Sequence, residues 1–499
     1  MIVTCAEMRV IEERAFAAGS SAEALMEEAG AQMARAVMQF FPEPGACRVF
    51  LGKGHNAGDA LVAARRLAEQ GWRMDLHEVF PRETLAPLTR KKLDETLSAQ
   101  DRLSLPNGRT HIVLDGLLGI GAKPGLREPI RQAAREINRL RREMGCVVFA
   151  LDVPSGLDAD TGEADPDAVV ADFTLCVGFA KRGLLADAAL DFVGRLAVLP
   201  LAGFAAQASA SQETVATPRQ LAPLLPPRRF SMHKGDRGRV GIVAGSRGFT
   251  GAALMAANAA VRAGGGLVSL FVTPDIYPVV ASAAMPEVMV TPLDCYLAVL
   301  ERPLDVLAIG PGLGRASGRD ILDIIAEFKG PMVVDADALN LLAESPQTLL
   351  RAAGPRLLTP HPGEMARLFP ASAQLSRRET AERFLQLQAA SRSPVTLLLK
   401  GSRTVVAEAP AGGALRISWN TTGHPGMASG GMGDVLTGAC AALAGQGLAL
   451  FDAARVGAWV CGRAAERALA AGQSQESLAA TDLLAQFGRA FRDLRDQNA

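Results

Sequence analysis

The sequence lacks the cysteine pattern of a disulfide framework or of a zinc site. Its seven cysteines are an odd number among 499 residues, and no two of them form a Cys-x-x-Cys pair. Small disulfide-stapled proteins carry even sets of cysteines at short spacings, and structural zinc needs a cluster of four ligands. We therefore expect reduced thiols and a cytoplasmic protein.

Net charge and long apolar runs are also missing. Lys+Arg and Asp+Glu number 52 each, so no global field draws the chain to nucleic acid or to an anionic membrane surface. No apolar run reaches the roughly 18 residues that a membrane span needs, and charges at Glu7, Arg9, Glu12 and Glu13 interrupt any signal-like core. We predict neither a nucleic-acid partner nor a membrane.

Aromatic residues make up only 5% of the chain, whereas glycine (50 residues) and apolar residues (49%) are abundant. This composition suits α/β domains with many tight turns between strands and helices. The length exceeds that of one ordinary core and predicts two domains. The P-loop motif GxxxxGK[ST] is absent, which excludes that class of nucleotide-binding enzyme.

Strand, glycine-rich turn and helix recur in order along both halves of the chain, as in doubly wound parallel sheets. In the first half we predict a long helix at 6–41, strands at 48–51, 73–80, 111–114 and 146–151, and helices at 59–70 and 128–144. Periodicity is lost at 205–218, which we interpret as a linker between domains 1–212 and 213–499. In the second half we predict a helix at 251–263 and strands at 240–244, 267–272, 306–309, 332–334, 356–358 and 395–399.

The segment 420–438 carries the strongest chemical signal. It runs from a glycine-rich loop into an apolar helix, so backbone N–H groups and the helix N-terminus can together hold an anion. Asp434 lies where the helix begins. It could be an ordinary N-terminal cap or a general base beside a transferring phosphoryl group. Six glycines around one aspartate exceed what a cap requires, so we favour the base.

Three further residue groups follow predicted strands of the second half. Asp335 and Asp337 could hold Mg²⁺ through water, or could belong to a solvated turn. His361 stands between two prolines in a rigid loop, and either contacts substrate or has a structural role. Glu364 either caps the next helix or binds metal through water.

Gly430-Gly-Met-Gly-Asp434 resembles the anion-hole and base motif of ribokinase-like sugar and vitamin kinases. The longer string GMASGGMGDVLTG is similar to the dehydratase domain of NAD(P)H-hydrate repair enzymes, and four more segments match that family in order: 245–253, 310–314, 359–364 and 400–404. The resemblance implies a ribokinase-like α/β/α domain. Such a domain uses ADP, or ATP in some members, to phosphorylate the hydroxyl of a hydrated nicotinamide ring, and loss of phosphate then restores NADH or NADPH.

The resemblance also implies residue roles. Asp434 would be the catalytic base, and the hydrate would contact Ala252, Ala253, Gly312, Gly314, His361 and Asp434. The adenine nucleotide would contact Lys400, Gly401, Ser402, Arg403, Thr404, Gly430, Gly431, Met432 and Gly433. Two alternatives stay open, because 400–404 also fits an ordinary hairpin and the small residues at 251–253 also fit dense packing.

In the first half, Gly52-Lys-Gly-His-Asn-Ala-Gly-Asp59 joins a strand to a helix, a geometry suited to phosphate. The segments 115–121 and 152–158 also follow predicted strands, so their polar side chains would converge at one sheet edge. An oxygen-rich set of this kind suits a hard monovalent or divalent cation. The alternative is three unrelated turns that use Asp and Gly for backbone reasons.

This trio of loops resembles the epimerase domain of the same repair family, which implies a Rossmann-like three-layer α/β/α domain that interconverts the R and S hydrates. The resemblance implies that K⁺ is bound by Asn56, Asp115 and Ser155. It implies that the hydrate is bound by His55, Asn56, Ala57, Gly58, Asp59, Gly119, Ile120, Gly121, Ala122, Lys123, Pro124, Gly125 and Asp152. Asp152 is our candidate for proton transfer, with a purely binding role as the alternative.

The first loop departs from the family pattern GKGNNGGDG at three positions. His55 replaces an asparagine, and Ala57 and Ala60 replace glycines. Alanine at 57 is tolerated only where the backbone does not need a positive φ.

Two other functions compete with repair. A ribokinase-like kinase would stop at a phosphorylated sugar or vitamin, and a scaffold protein would carry an epimerase-like domain without activity. Fusion of both motif sets and intact Asp115, Asp152 and Ser155 favour repair. The expected partners are hydrated NADH or NADPH and an adenine nucleotide, and we expect a homo-oligomer.

Overall fold

The computed structural model describes residues 1–98, 111–207, 211–410 and 413–497. The chain forms two compact units, one from Met1 to Ser211 and one that begins at Gln212. Each is built on one large sheet of mostly parallel strands, which confirms the predicted α/β class. Within the described ranges, no helix has the length and apolar character needed to cross a bilayer.

The first unit contains a six-stranded parallel sheet. In spatial order its strands are Arg73–Glu78, Ala46–Leu51, Ile112–Gly116, Val147–Leu151, Phe173–Val177 and Arg195–Leu199. A separate parallel pair joins Ile2–Val3 to Ala180–Lys181. The α-helices are Cys5–Ala17, Ala22–Phe40, His55–Glu69, Pro87–Ser98, Ile130–Met144 and Leu190–Val193, with 3-10 turns at Arg82–Thr84, Arg182–Leu185, Asp187–Ala189 and Ala202–Gln207.

Alternating strand residues show why this sheet is covered on both faces. Val49 and Leu51 pack in one apolar cluster with the helices Ala22–Phe40 and His55–Glu69. Phe50, which points the other way, packs with the helix Ile130–Met144. Because successive side chains of a strand face opposite sides, both layers are apolar and the three-layer prediction is confirmed.

The single helix predicted at 6–41 is wrong. The structure has two helices, Cys5–Ala17 and Ala22–Phe40. Between them Gly19 adopts φ +98°, and the Ser21 hydroxyl accepts a hydrogen bond of 3.0 Å from the Ala24 N–H. The glycine ends the first helix and the serine caps the second, two local signals that the apolar periodicity obscured.

The second unit contains a ten-stranded sheet. In spatial order its strands are Val288–Pro292, Leu267–Val272, Arg239–Val243, Val306–Ile309, Met332–Val334, Arg356–Leu358, Val395–Leu399, Thr404–Glu408, Arg416–Asn420 and Glu213–Val215. Pairing is parallel except on the two sides of Thr404–Glu408. The α-helices are Pro218–Leu221, Thr250–Arg262, Tyr277–Ala283, Gly318–Glu327, Ala336–Glu344, Gln347–Leu350, Pro362–Leu368, Arg377–Leu387, Met432–Gly445, Leu450–Ala470 and Ala480–Arg495. The 3-10 turns are Ala222–Leu224, Lys234–Arg237, Tyr296–Glu301, Pro370–Gln374 and Pro425–Met427.

Part of the predicted linker is an edge strand. Glu213–Val215 pairs in parallel with Arg416–Asn420, so the second sheet begins well before 239. The Trp419 indole N–H donates to Glu213 Oε1 at 2.9 Å. Three residues carry too little periodicity to reveal a strand, so the interpretation of 205–218 as linker alone was wrong. Residues 208–210 of that segment lie outside the described residues.

In each sheet there is one strand after which the following strands are added first on one side and then on the other. We call this position the switch point. Ala46–Leu51 is followed by a neighbour on one side and then by Ile112–Gly116 on the other. Arg239–Val243 is likewise followed by two strands on one side and then by Val306–Ile309 on the other. Ligands of open α/β sheets bind in the crevice at such points. The glycine-rich segments 52–59 and 115–121 of the first half, and 245–253 and 310–314 of the second, begin at the ends of these adjacent strands.

The helix that carries Asp434 packs unusually close to its neighbour. A Cβ on Gly438 in Met432–Gly445 would overlap the Ala256 carbonyl oxygen of Thr250–Arg262. Gly488, on the exposed side of Ala480–Arg495, has no neighbouring atom within 4 Å of the same position.

We expect Gly438→Ala to destabilise the second unit by about 1–3 kcal/mol, because the added methyl group overpacks the helix contact. Gly488→Ala serves as the matched control and should stabilise the unit by up to about 1 kcal/mol through helix propensity alone. Thermal unfolding would show the two midpoints moving in opposite directions, by about 2–4 °C per kcal/mol. Equal midpoints for the two variants would contradict the close packing.

Candidate active sites

Two glycine-rich loops of the first unit touch at its switch point. A Cβ on Gly52 would overlap the Leu117 carbonyl oxygen, and the Gly52 N–H donates to the Gly116 carbonyl at 3.1 Å. Only glycine permits this approach. The predicted turns at 52–59 and 115–121 therefore form one surface.

Hydrogen bonds join Asn56, Asp115 and Ser155 through Leu118. The Asn56 amide donates to the Leu118 carbonyl at 2.8 Å, and the Leu118 N–H donates to Ser155 Oγ at 3.0 Å. Ser155 donates to Asp115 from its hydroxyl at 2.7 Å and from its backbone N–H at 2.8 Å. The three residues expected to bind K⁺ are thus brought together, although Asn56 lies in a helix, Asp115 in a strand and Ser155 in a turn.

The charge of this group is unbalanced. Asp115 is fully buried and forms no ion pair with any described residue. Burial raises the pKa of Asp115 to about 6, against the opposing effect of its hydrogen bonds from Ser155 and Leu117. Asn56 Oδ1 is buried as well and accepts no hydrogen bond from the described residues. A buried carboxylate beside an unused amide oxygen fits a cation.

The loop 119–125 lies beside this group. A Cβ on Gly119 would lie 3.5 Å from the Asn56 Cβ, and the far end of the loop is tied down by Asp165, which accepts N–H bonds from Gly125 and Leu126 at 2.8 Å each. Asp165 was not among the predicted residues. Its signal was weak, because one aspartate 40 positions away from its partner forms no local motif.

The departures from the family pattern are accommodated by packing. Ala57 is buried inside the helix His55–Glu69 and does not have a positive φ. Ala60 packs against the strand Ile112–Gly116, where a Cβ on Gly116 would lie 2.6 Å from the Ala60 Cβ. His55 begins the helix and is exposed. The two alanines therefore occupy buried helix positions at which the backbone does not need a glycine.

Asp152 lies in a second polar group of the first unit. Its backbone adopts φ +66°, a left-handed conformation that non-glycine residues rarely take. Its Oδ1 accepts hydrogen bonds from the Val177 N–H at 3.1 Å and from Lys181 Nζ at 2.5 Å. Lys181 was missed in the sequence, where it stands 29 positions from Asp152. Burial, with a further contribution from the Asp152 charge, raises the pKa of Asp59 well above its usual range.

In the second unit, Asp434 is the third residue of the helix Met432–Gly445. Gly431, with φ +88°, occupies the cap position, and Asp434 accepts no hydrogen bond within the described residues. The alternative that Asp434 is a helix cap is therefore wrong. Burial raises the pKa of Asp434 to about 7, with a further contribution from the Asp335 charge that Lys400 opposes.

A buried ion pair lies next to Asp434. Lys400 Nζ donates to Asp335 Oδ1 at 2.7 Å, and the Thr437 hydroxyl donates to Asp335 Oδ2 at 2.7 Å. Asp335 is 1% exposed. A Cβ on Gly433 would lie 3.2 Å from Lys400 Nζ, so this glycine keeps the backbone of residues 430–433, here called the anion loop, against the ammonium group. The ammonium group and the N-terminus of the helix Met432–Gly445 are thus both close to this loop, an arrangement suited to an anion.

Asp337, the second acidic residue after the strand Met332–Val334, has a structural role. Asp337 Oδ2 accepts the Gly314 N–H at 2.8 Å, which orders the loop after Val306–Ile309. No cluster of three or more metal-binding side chains occurs in the described ranges. Any Mg²⁺ here would be held mainly by phosphates and water.

His361 and Glu364 cap the helix Pro362–Leu368. His361 Nδ1 accepts N–H bonds from Gly363 at 3.0 Å and Glu364 at 3.3 Å, and Glu364 Oε2 accepts the His361 N–H at 2.8 Å. Glu364 Oε2 also lies 3.7 Å from Lys400 Nζ. Capping is thus the structural role of Glu364, and the His361 ring remains 50% exposed beside it.

The segment 400–404 forms the turn of a hairpin between Val395–Leu399 and Thr404–Glu408. Lys400 and Arg403 are largely buried, while Gly401 and Ser402 are exposed. The hairpin alternative describes its shape and does not exclude nucleotide contact. In the anion loop Gly430 is exposed, and Gly431 and Met432 are half-buried.

Two of the predicted hydrate-contacting residues of the second unit, Ala252 and Gly312, meet at its switch point. A Cβ on Gly312 would lie 3.0 Å from the Ala252 Cβ and 2.9 Å from the Phe249 Cβ. Gly312, with φ +61°, and Gly314, with φ +67°, need glycine for their backbone conformations. Ala253 is fully buried in the core, so Ala252 is the alanine that reaches the surface.

Comparisons with known proteins match both halves of the chain. The family model for NAD(P)H-hydrate dehydratase matches residues 240–487, and the model for the YjeF-related protein N-terminus matches 22–183. The bifunctional NAD(P)H-hydrate repair enzyme of Moorella thermoacetica is 36% identical over 99% of this chain and 97% of its own length. The Escherichia coli enzyme is 37% identical over 97% of this chain and 93% of its own. The chain belongs to the bifunctional NAD(P)H-hydrate repair enzymes.

Among solved structures, this repair enzyme is similar to the ADP/ATP-dependent NAD(P)H-hydrate dehydratase of Bacillus subtilis, which was co-crystallised with ATP/Mg²⁺. The identity is 28% and the TM-score 0.48, over 56% of this chain and 98% of the other.

We expect Lys400→Met to lower the free energy of unfolding of the repair enzyme's second unit by about 3–5 kcal/mol, because Asp335 would then be a buried charge without a partner. The double variant Lys400→Met/Asp335→Asn should regain most of that loss. Urea unfolding would measure both. The exposed Lys329→Met is the control, and an equally small loss for Lys400→Met and the control would show that the pair does not stabilise the fold.

Proposed function

We propose that this chain repairs hydrated nicotinamide cofactors in two reactions. The first unit interconverts the R and S hydrates of NADH or NADPH, and the second uses ADP to dehydrate the S hydrate, releasing AMP and phosphate. The similarity to bifunctional repair enzymes over nearly the full length supports the pairing of activities. The observation that carries the dehydratase half is Asp434, unbonded and half-buried at the start of an anion-binding helix beside Lys400.

In the dehydratase, Asp434 takes the proton of the hydrate's ring hydroxyl. The hydroxyl oxygen then attacks the terminal phosphorus of ADP and AMP leaves. The phosphorylated hydrate next loses phosphate as its C–O bond breaks, and the adjacent carbon loses a proton to form the ring double bond. The N–H groups of Gly430, Gly431, Met432 and Gly433, at the positive end of the helix, stabilise the charge on the phosphoryl group.

Nucleotide and hydrate approach this centre from two sides. The adenine nucleotide contacts the hairpin turn 400–404 and the anion loop. Mg²⁺ would be held mainly by the nucleotide and by water, and would offset the negative charge of the phosphates. The hydrate lies over Ala252, Gly312 and Gly314, near the exposed edge of His361. The position of these residues around one strand-end crevice supports the assignment.

A kinase that stops at its phosphorylated product is the second candidate. It is favoured only by the anion-loop motif, which both classes share. Hydrated NADH incubated with ADP distinguishes the two. Repair yields NADH absorbance with free phosphate and AMP, whereas a stable phosphorylated product would establish the kinase. A cytoplasmic location and a homo-oligomer stay predictions.

We expect Asp434→Asn to lower dehydratase turnover by about 10²–10⁴-fold with ADP binding nearly unchanged, since a base acts chiefly in the transition state. In the unchanged enzyme, kcat/KM should fall with decreasing pH through about 7, because the raised pKa leaves Asp434 protonated below that value. Steady-state kinetics with calorimetric ADP titration would test both. Full activity in Asp434→Asn, or a flat profile between pH 6 and 8, would contradict the assignment.

In the epimerase, Asn56, Asp115 and Ser155 would hold K⁺, which offsets the buried Asp115 charge. The hydrate would then lie against His55–Asp59 and Gly119–Gly125, with Asp152 as the group that moves a proton. The unbonded Asn56 Oδ1 and the unpaired Asp115 carboxylate support the cation.

We expect K⁺ to raise the melting temperature of the first unit at pH 8 and to lose this effect at pH 5. The cation needs ionised Asp115, and the raised pKa of about 6 makes that carboxyl protonated at pH 5. Calorimetry in KCl against N-methylglucamine chloride at equal ionic strength would measure the difference. Asp115→Asn is the control that should abolish it, and an equal shift at both pH values would argue against the site.

A further inference from the structure

Lys181 is a fully buried lysine of the first unit, 1% exposed. Its ammonium group has three partners: Asp152 Oδ1 at 2.5 Å, the Val177 carbonyl at 3.0 Å and Cys176 Sγ at 3.5 Å. An ammonium group has three donors, so all of them are used within the protein. Lys181 therefore has no proton free for a bound substrate, and its effect on chemistry must pass through Asp152.

The partner carboxylate is held in a definite orientation. Asp152 adopts the left-handed φ of +66°, which costs a non-glycine residue of order 1–3 kcal/mol and persists only where neighbours enforce it. Lys181 and the Val177 N–H both bind Oδ1. Oδ2 accepts no hydrogen bond from the described residues, and the side chain is 13% exposed. One oxygen is thus fixed and the other is available.

The N-terminal segment, residues 1–17, holds Lys181 in place. The strand Ile2–Val3 pairs in parallel with Ala180–Lys181, with Val3 opposite Lys181. The helix Cys5–Ala17 follows directly, and its Cys5 N–H donates to Asp160 Oδ1 at 2.6 Å. This segment precedes residue 22, where the match to the N-terminal family model begins.

The same segment adds a carboxylate to the neighbourhood of Asp152. Glu12, on the helix Cys5–Ala17, has its pKa raised by burial, an effect that Lys181 opposes and Asp152 reinforces. Asp59 faces the group from the helix His55–Glu69, and the buried thiol of Cys176 faces it from the strand Phe173–Val177. Three carboxylates thus surround one ammonium group, which offsets their mutual repulsion and holds Asp152 in place.

We propose that Lys181 is a positioning residue of the epimerase site, fixed by the strand Ile2–Val3, which holds Oδ1 of Asp152 and so presents its free Oδ2 to the hydrate. This inference rests on the proposed role of Asp152 in the epimerase. The N-terminal segment is accordingly part of the site's architecture.

The experiment follows conversion of R hydrate to S hydrate by the full chain without ADP, so that the dehydratase is idle. We expect Lys181→Met to lower kcat about 100-fold with little change in KM, the scale of effect of a misplaced catalytic group. Lys181→Arg, which keeps the charge, should recover part of the rate. The exposed Lys91→Met is the control and should match the unchanged enzyme.

Two further variants distinguish a failure of the proposed role of Asp152 from a failure of the positioning role of Lys181. Asp152→Asn/Lys181→Met should be no slower than Asp152→Asn alone, because Lys181 acts through Asp152. Glu12→Gln removes one neighbouring carboxylate and leaves the hydrogen bond between Lys181 and Asp152 in place, so it should retain most of the rate. Full activity in Asp152→Asn would refute the proposed role of Asp152. An inactive Asp152→Asn with a fully active Lys181→Met, or a Glu12→Gln variant as slow as Lys181→Met, would overturn the positioning role.

Discussion

A buried carboxylate at the end of a parallel strand must have its charge balanced, and both sites depend on how this is done. In the second unit Lys400 balances Asp335 at 2.7 Å. The pair fixes an ammonium group against the anion loop. Burial raises the pKa of Asp434 to about 7, and the two members of the pair act on it in opposite directions, Asp335 raising the pKa and Lys400 lowering it. One ion pair therefore stabilises the fold, positions the ammonium group and influences the protonation of the proposed base.

In the first unit, two carboxylates have their charges balanced in two different ways. Asp152 is balanced by Lys181 from within the protein, whereas Asp115 is surrounded only by neutral donors from Ser155 and Leu117. A permanent internal partner orients a group that has to react. A carboxylate satisfied by dipoles alone keeps its charge available for an exchangeable ion. The two polar groups of this unit thus differ in what supplies the positive charge.

The sequence predicted the features that are encoded locally. Glycine-rich turns after apolar strands indicated both sheets and the convergence of Asn56, Asp115 and Ser155, because parallel strands bring their carboxyl ends to one edge. Lys181 and Asp165 could not be found this way, since each acts on a partner 29 or 40 positions away with no motif between. The break between the two N-terminal helices at Gly19 was missed for a different reason, because the apolar periodicity continues across it. The roles of individual residues within the sites remain predictions.

The edge strand Glu213–Val215 has a consequence for how the two halves can be separated. It pairs with the strand Arg416–Asn420, and its Glu213 accepts a hydrogen bond from the Trp419 indole N–H. A fragment that starts after Val215 would leave the longer strand Arg416–Asn420 as the edge of the sheet, and an unprotected edge is a template for pairing between chains. The strand Glu213–Val215, which belongs to the second unit, thus protects that unit against association between chains.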